Sequence, residues 1–577
     1  MKKINLLVAL VCLYVGNAFA GSPEIIEKYV TPTRVMWTSD QSGKYVKNAD
    51  ILTEPFSGQV AVNDNHCVVM KSDDSHTASL LIDFGKEMHA GLKIFAGIRP
   101  DNKPVSIRVT YGESVTEAMS QIARDGKKNP TNDHAMREFT IQLPWLGSAT
   151  TGFSGFRFAR IDLLDKNVEL DLRAVQAIHR FRDYDYLGTF KCDNERLNKI
   201  WSTAAYTVQE NMQEHIWDGI KRDRLVWLGD LNPEILTICN VFGPQAFDLV
   251  HKALDFGSTG YPLPQWQNGM PSYSLWWIIN QYDLFMYEGN LPYLKAQLPY
   301  IKGLVEQVAQ NIDPKTGREK IKGGFLDWPT SPDSVVVHAG MQALCIMTFD
   351  AAKNIGTYTG DQALVQRCEQ LIKLLRKHRP DHHKNTQASS LYVLSGLSKD
   401  AKKDAQNIIN NGMDQYSTFY GYYATEALAR TGHYQQALDD ISKYWGAMLD
   451  LGATTFWEDL TYKFVANAGR IDEFVPEGKY DIHADGGDFC YKGLRLSLAH
   501  GWASGPAIYL TQNVLGVRPV EPGCKTIKVT PHLGNLNWAE GTFPTPQGIV
   551  KIKVTKDANG KAVPQVEAPA GVKVVYE

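Results

Sequence analysis

From Asp193 to about residue 513, one amphipathic helical pattern follows another with no strand-like run between them. In NERLNKIWSTAAYTVQENMQEHI, the apolar residues Leu197, Ile200, Trp201, Ala204, Val208 and Met212 recur on one face, with Asp193 placed to cap the start. LPYLKAQLPYIKGLVEQVAQNI sets Leu294, Leu298, Ile301, Val305, Val308 and Ile312 on another such face. QALVQRCEQLIKLLRKH and YQQALDDISKYWGAML repeat the theme. About ten to twelve helices of ordinary length fit this span. With no strands to pack on, they must bury their apolar stripes against each other, which predicts a toroid of helical hairpins. No fixed repeat period is evident, which disfavours a regular solenoid.

The flanks have a different texture. Before the helices, ASLLIDFGKEM, GLKIFAG, SIRVTYGE, EFTIQL and FRFARIDLL are short alternating runs separated by Gly, Pro, Asn and Asp, predicting an antiparallel sandwich. Ser120–Asp133 reads as a long surface loop. After Val514, TIKVTPHLG, GTFPTPQGIVKIKVT and VKVVYE restore the strand pattern in a tail too short for a comfortable independent sandwich. The expected division is therefore a β-sandwich at 21–185, a helical toroid at 186–513 and a small β domain at 514–577.

Residues 1–20 read as an export signal: Lys2 and Lys3, an apolar stretch Leu6–Val15, then Ala18-Phe19-Ala20 as a small-x-small cleavage site. A periplasmic or secreted bacterial protein is expected, and no later run reaches the length of a membrane span. Cys67, Cys192, Cys239, Cys345, Cys368, Cys490 and Cys524 are scattered without CxxC or Cys/His spacing, so mostly free, buried thiols are expected. The net charge of −3 gives no electrostatic reason for a nucleic-acid or anionic-membrane partner.

One stretch fits neither core nor solvated surface. WDGIKRDRLVWLGD (Trp217–Asp230) packs Asp218, Asp223, Asp230, Lys221, Arg222, Arg224 and two tryptophans together without an amphipathic period. Unpaired burial of six charges is prohibitively costly, and a solvated run would not carry two indoles. The composition suits the wall of a sugar pocket, where carboxylates grip hydroxyls and aromatic faces meet the ring.

Three further segments share it. GGFLDWPTSP puts Asp327 and Trp328 in a loop between helices. GATTFWEDL puts Trp457, Glu458 and Asp459 at an apparent loop-to-helix start, with Thr454 or Thr455 as cap. RLSLAHGWASGPAIYL sets His500 and Trp502 on a helix that is otherwise small and apolar. Glycosidic cleavage needs two carboxyl groups on opposite sides of the bond, one to protonate the leaving oxygen and one to activate water or attack. Carboxyls in separate segments, each beside a Trp, match that need.

In this order these segments resemble the α-L-rhamnosidases of glycoside hydrolase family 78. LLIDFGKEMHAGLKI, VTYGE and FSGFRFARI resemble the family's sandwich, and GTFKCDNERLNKIW the entry to its barrel. DGIKRDRLVWLGD resembles the acid loop, GATTFWED the base segment, SLAHGWASGPAIYL the segment with an active-site histidine, and IKVTPHLGNLNWAEGTFPTPQGIVKIKV the closing β domain. The resemblance implies an (α/α)6 barrel, exo action with inversion, and release of terminal α-L-rhamnose from a carbohydrate substrate. It assigns Glu458 as the base, Asp230 and His500 as sugar-holding residues, and Asp218, Arg222, Trp227 and Trp328 as pocket walls; Trp457, beside Glu458, is a further candidate for sugar contact.

The acid is where the chain departs. The family's loop reads Arg-Asp-Glu-Arg, with Glu as the acid, whereas Arg222-Asp223-Arg224 is one residue shorter and lacks it. Aligned on Trp227 and Asp230, Asp223 takes the acid's place. Aligned on Asp218 and Arg222, Asp223 matches the preceding Asp and no acid remains. Asp is shorter than Glu by one C–C bond, ~1.5 Å, so the backbone would have to advance. Glu214 is the substitute acid if Asp223 fails, and Glu210 and Glu234 read as helix surface or support. Two other readings stay open: a polysaccharide lyase recruiting Tyr462 and His500, and a non-catalytic glycan-binding relative. No cofactor is expected.

Overall fold

The computed structural model describes residues 23–62, 64–98, 103–120, 137–487 and 491–576. The expected export signal, most of the loop at 120–133, and Cys490 lie outside them.

Twelve helices follow one another: α1 Glu195–Asn211, α2 Leu231–Val241, α3 Phe247–Gly260, α4 Pro271–Glu288, α5 Leu291–Ala309, α6 Ser334–Thr359, α7 Gln362–Leu375, α8 Thr386–Ser395, α9 Ala401–Asn411, α10 Tyr420–Arg430, α11 Tyr434–Asp450 and α12 Gly505–Tyr509. α2 packs on α4, α4 on α6, α6 on α8, α8 on α10, α10 on α12, and α12 returns to α2, so the even helices close an inner ring. The odd helices surround it, giving an (α/α)6 barrel. Burial follows position. Every residue of the inner helix α2 is buried, whereas the outer helix α7 buries one stripe of Leu364, Val365, Cys368, Leu371 and Leu375.

Inner helix α6 is long and apolar enough to cross a membrane, contrary to the expectation that no run would be, but 78% of its apolar window is buried inside the barrel. The six described cysteines are free and buried.

The cap of α1 also differs from expectation. Asn194, not Asp193, accepts from the N–H groups of Arg196 and Leu197. The Asp193 carboxylate instead accepts from the backbone and side-chain nitrogens of Asn537, at 3.0 and 2.7 Å, and so ties the barrel entrance to the C-terminal strands.

The N-terminal strands form one ten-stranded sheet. Its long strand Ser79–Ala96 pairs first with Arg34–Thr38 and Ser154–Leu163, then with Val168–Arg182 and Gly147–Thr150. Ile82, Leu92, Ile94, Phe156 and Ile161 belong to a core of their own, separate from the barrel's. The C-terminal strands have no such core. Phe543, Val550, Ile552 and Val554 are continuous with the barrel core, and Thr189–Cys192, from before the barrel, pairs with Trp538–Thr545. A short tail thus gains stability by sharing a larger core and borrowing a strand.

Candidate active site

The segments that hold the polar cluster lead into the N-terminal ends of the inner helices. Asp230 immediately precedes α2, Tyr273 lies in the first turn of α4, Phe325–Trp328 lead into α6, Ser417 and Thr418 precede α10, and His500–Ser504 precede α12. Helix N-termini carry partial positive charge, so converging them on one region favours the carboxylates gathered there.

Glu458 and Arg222 form the centre. Arg222 Nη2 donates to both Glu458 oxygens, at 2.5 Å to Oε1, and Arg222 Nε donates to the Arg495 carbonyl at 2.8 Å. Arg222 Nη1 lies 3.2 Å from Asp223 Oδ2. The two carboxyls therefore flank one guanidinium, and the oxygens that face it are at most about 8 Å apart, below the roughly 9.5 Å upper limit for a carboxyl pair that hydrolyses a glycoside. Although burial works against its charge, Glu458 and Asp223 hold the Arg222 proton more tightly than usual.

The base segment is not a helix start. Residues 452–461 are irregular; Thr454 Oγ1 accepts from the Glu87 N–H at 2.8 Å, and the Thr455 hydroxyl donates to the Leu498 carbonyl at 2.7 Å. Neither threonine caps a helix, because Glu87 of the strand Ser79–Ala96 and the Leu498 carbonyl take up their hydroxyls. Glu458 is held by its own peptide: its N–H donates to the Ser497 carbonyl, while its carbonyl accepts from Thr418 Oγ1 and Trp502 Nε1 at 2.5 and 2.9 Å. Ser497 N–H adds a bond to Glu458 Oε2 at 3.1 Å.

His500 is likewise extended rather than helical, bridged to Gly219, with the short helical turn beginning at Gly501. Its Nε2 lies 3.1 Å from Asp230 Oδ2, and the Tyr273 hydroxyl donates to Asp230 Oδ1 at 2.7 Å. Against the effect of burial, Glu458 and Asp230 raise the His500 pKa and favour the imidazolium. Burial raises Asp230 despite these partners. Burial, with Asp223 and Asp230 nearby, pushes Asp218 well above the usual carboxylate range, against the pull of His500. Asp218 Oδ1 accepts from the Leu225 N–H at 3.0 Å, which closes the loop on itself.

The short loop turns on itself at Asp223 and Arg224. Asp223 and Arg224 are successive left-handed residues, φ 54° and 51°, and the Arg224 N–H folds back to the Arg222 carbonyl at 2.7 Å. Such φ values are costly for side chains of this size, and strain of this kind clusters at functional sites. Arg224 turns away from Asp223 and donates to the Phe153 carbonyl at 3.3 Å.

Aromatic rings line one side. Trp227 meets Tyr273 edge-on at 6.0 Å, Tyr273 meets Phe325 at 6.3 Å, and Phe325 meets Trp328 at 5.2 Å. Tyr273 and Phe325 were not expected from sequence, since both lie in apolar helical or loop contexts without a charge beside them. Trp457 is 1% exposed and offers no open face. Asp327 turns inward to Thr330, Ser417 and Gln387 and braces its loop.

The remaining acids separate sharply. Glu214 is exposed, its carboxyl 3.4 Å from Arg180, so it is not the substitute acid. Glu210 is buried and bonded to His179 and the His89 N–H. Glu234 is buried without a hydrogen-bond partner on either oxygen, so it too is not helix surface. Among the described residues, Glu113, Glu117 and His483 form the one group with metal-type ligand atoms close together, although they are far apart in sequence.

The model of the bacterial alpha-L-rhamnosidase 6 hairpin glycosidase domain matches residues 185–470, and that of the bacterial alpha-L-rhamnosidase C-terminal domain matches 516–575. An alpha-L-rhamnosidase of Alteromonas sp. (strain LOR) is 23% identical over 536 residues, covering 84% of this chain and 54% of that protein. The GH78 family rhamnosidase of Bacillus sp. GL1 shares the fold with a TM-score of 0.69 at 21% identity, over 89% of this chain and 54% of its own. A Klebsiella oxytoca rhamnosidase with rhamnose bound gives 0.64 at 20% identity, over 85% of this chain and 96% of its own. The chain thus spans about half the length of the Alteromonas and Bacillus proteins and most of the Klebsiella one.

Proposed function

This chain belongs to the α-L-rhamnosidases of glycoside hydrolase family 78, and from that premise we propose that it releases terminal α-L-rhamnose from glycosides, oligosaccharides or polysaccharides as an exo-acting, inverting hydrolase. The observation that carries this reading is the pair of carboxyls, Asp223 and Glu458, on either side of the Arg222 guanidinium.

Glu458 draws a proton from water as that water attacks the anomeric carbon. The glycosidic C–O bond breaks on the opposite face, and Asp223 passes its proton to the leaving oxygen. For this, the Asp223 contact with Arg222 must yield to the leaving oxygen, while Arg222 stays on Glu458. Asp218, Asp230 and His500 supply donors and acceptors for ring hydroxyls. Trp227, Tyr273, Phe325 and Trp328 supply the apolar wall. The lysine-then-apolar N-terminal segment supports export to the periplasm or beyond.

The test is NMR of products during turnover on a panel of terminal-sugar substrates including an aryl α-L-rhamnoside. The expected first signal is β-L-rhamnose. The α-anomer appearing first would overturn inversion. Tight rhamnoside binding with no turnover at any pH would instead favour a binding-only protein, the reading motivated by Asp223 standing where the family has Glu.

A further inference from the structure

Lys221 immediately precedes Arg222, and its side chain leaves the barrel for the N-terminal domain. It is 1% exposed, and its Nζ meets four oxygens: Glu113 Oε2 at 2.8 Å, Glu117 Oε1 at 3.3 Å, and the carbonyls of Leu496 and Leu494 at 2.7 and 3.0 Å. An ammonium can be buried this deeply only when paired and hydrogen-bonded throughout.

Both carboxylates come from the sandwich. Glu113 immediately follows the strand Val105–Gly112, and Glu117 lies in the helical turn Val115–Met119. Glu113 Oε2 also accepts from the Leu498 N–H at 2.8 Å, and Glu117 Oε2 accepts from the Glu113 N–H at 2.9 Å. His483 completes the frame. Its Nδ1 lies 2.7 Å from Ser114 Oγ and its Nε2 3.1 Å from the Leu496 carbonyl. Burial and the Lys221 charge depress its pKa to about 4. The neutral ring thus donates through Nε2 to Leu496 and accepts from the Ser114 hydroxyl.

The carbonyls that Lys221 grips flank Arg495 and Ser497. Arg495 accepts from Arg222, and Ser497 bonds Glu458 through both its N–H and its carbonyl. One ammonium therefore joins the acid loop, the segment 494–498 that holds the base, and the N-terminal domain. Gly155 on the sandwich allows the close approach. A Cβ there would stand 2.7 Å from both Ile220 Cγ1 and the Lys221 nitrogen. The Glu113–Glu117–His483 group has ligand types suited to a divalent cation, but the Lys221 ammonium already supplies the cation among them.

We propose that Lys221, clamped by Glu113 and Glu117 of the N-terminal domain, is a positioning residue that fixes Arg222 between Asp223 and Glu458. The sandwich is then part of the site's architecture rather than an appendage. The kinetic consequence rests on the hydrolase reading; the clamp does not.

Two measurements separate them. In the full chain, Lys221→Met is expected to speed hydrogen exchange of 217–230 and 494–500 at least about tenfold, leaving the inner barrel helices unchanged. On an aryl rhamnoside, kcat is expected to fall at least about tenfold while KM changes less than about threefold, because orientation and not contact is lost. The double variant Lys221→Met/Glu113→Gln removes a buried charge together with its partner and serves if the single variant does not fold. A mere structural ion pair predicts that the double variant recovers wild-type exchange and kcat. The clamp predicts that both stay impaired, since the Leu494 carbonyl still lacks its ammonium donor and the Leu496 carbonyl keeps only His483. Wild-type exchange and kcat in either folded variant would overturn the proposal. A wild-type protein that hydrolyses no rhamnoside would sink the hydrolase reading, and hydrogen exchange would still judge the clamp.

Discussion

Arg222 and Glu458 form a buried ion pair in which one guanidinium nitrogen faces both carboxylate oxygens, while the other terminal nitrogen reaches Asp223. This fork explains why a segment so rich in charge can be buried. Lys221, Arg222, Asp223 and Asp230 each face an opposite charge, Asp218 and Arg224 are met by backbone groups, and the planar geometry holds two acids on one guanidinium. Lysine offers one point charge where arginine offers a fork. Arg222→Lys is therefore expected to lower kcat/KM by about ten- to a hundredfold, or roughly 1.4–2.7 kcal/mol of transition-state stabilisation. Steady-state kinetics alongside a melting curve checks this, and unchanged kcat/KM would show that the fork does not organise the site.

In the proposed mechanism the two carboxyls have different tasks, so their variants should differ by leaving group. Asp223→Asn removes a proton donor, which matters most when the leaving oxygen is basic. Its kcat is expected to fall about a hundredfold or more on a rhamnosyl disaccharide and far less on a nitrophenyl rhamnoside. Glu458→Gln removes the water-activating group and should fall similarly on both. Equal losses for Asp223→Asn on the two substrates would remove Asp223 from the acid's role.

Much of this was legible in the chain. The helical period pointed to about ten to twelve helices, and twelve line the barrel among the described residues; the mixed charge–indole segments marked the loops at one end of it. The non-helical backbone at His500 and Glu458 was not legible, since GATTFWED and SLAHGWAS carry plausible caps and helix formers. Their backbones are taken instead by pairing between Glu458 and Ser497 and between Gly219 and His500, contacts distant in sequence. Lys221 was visible only as one cation among three. Its partners lie about a hundred residues upstream and some 270 residues downstream in the chain.

Glu234 gives a pH prediction. It lies one helical turn beyond Asp230 on α2, fully buried, with both oxygens lacking hydrogen-bond partners. Burial first, then Asp230 and Asp218, raises its pKa well above the ordinary 4.5. The folded state therefore holds this proton more tightly than the unfolded chain. The associated stability is complete below pH 4.5 and is lost as pH rises toward the folded-state pKa. Glu234→Gln cannot titrate. Its stability relative to wild type should grow as pH rises above 4.5. Urea unfolding across a pH series measures the difference, and a gap independent of pH would mean Glu234 is ionised in the fold.

The pocket wall depends on a missing side chain. Gly229 sits against the Tyr273 ring, and a Cβ there would lie 2.3 and 2.4 Å from Cδ1 and Cε1. Gly229 does not have a positive φ, so alanine fits its backbone and the clash falls on the ring. Tyr273 would have to shift, giving up its 2.7 Å bond to Asp230 Oδ1 and its edge contact with Trp227. Asp230 would keep His500 but lose one of its two fixed partners, which loosens the group proposed to hold the sugar hydroxyls. Overpacking of this kind costs roughly 1–3 kcal/mol. Gly229→Ala is expected to raise KM for an aryl rhamnoside about tenfold with a smaller change in kcat, because the reacting carboxyls keep their contacts with Arg222. Calorimetric titration with L-rhamnose should show the same weakening. Unchanged affinity in a folded variant would show that Tyr273 and Asp230 lie outside the sugar-binding surface.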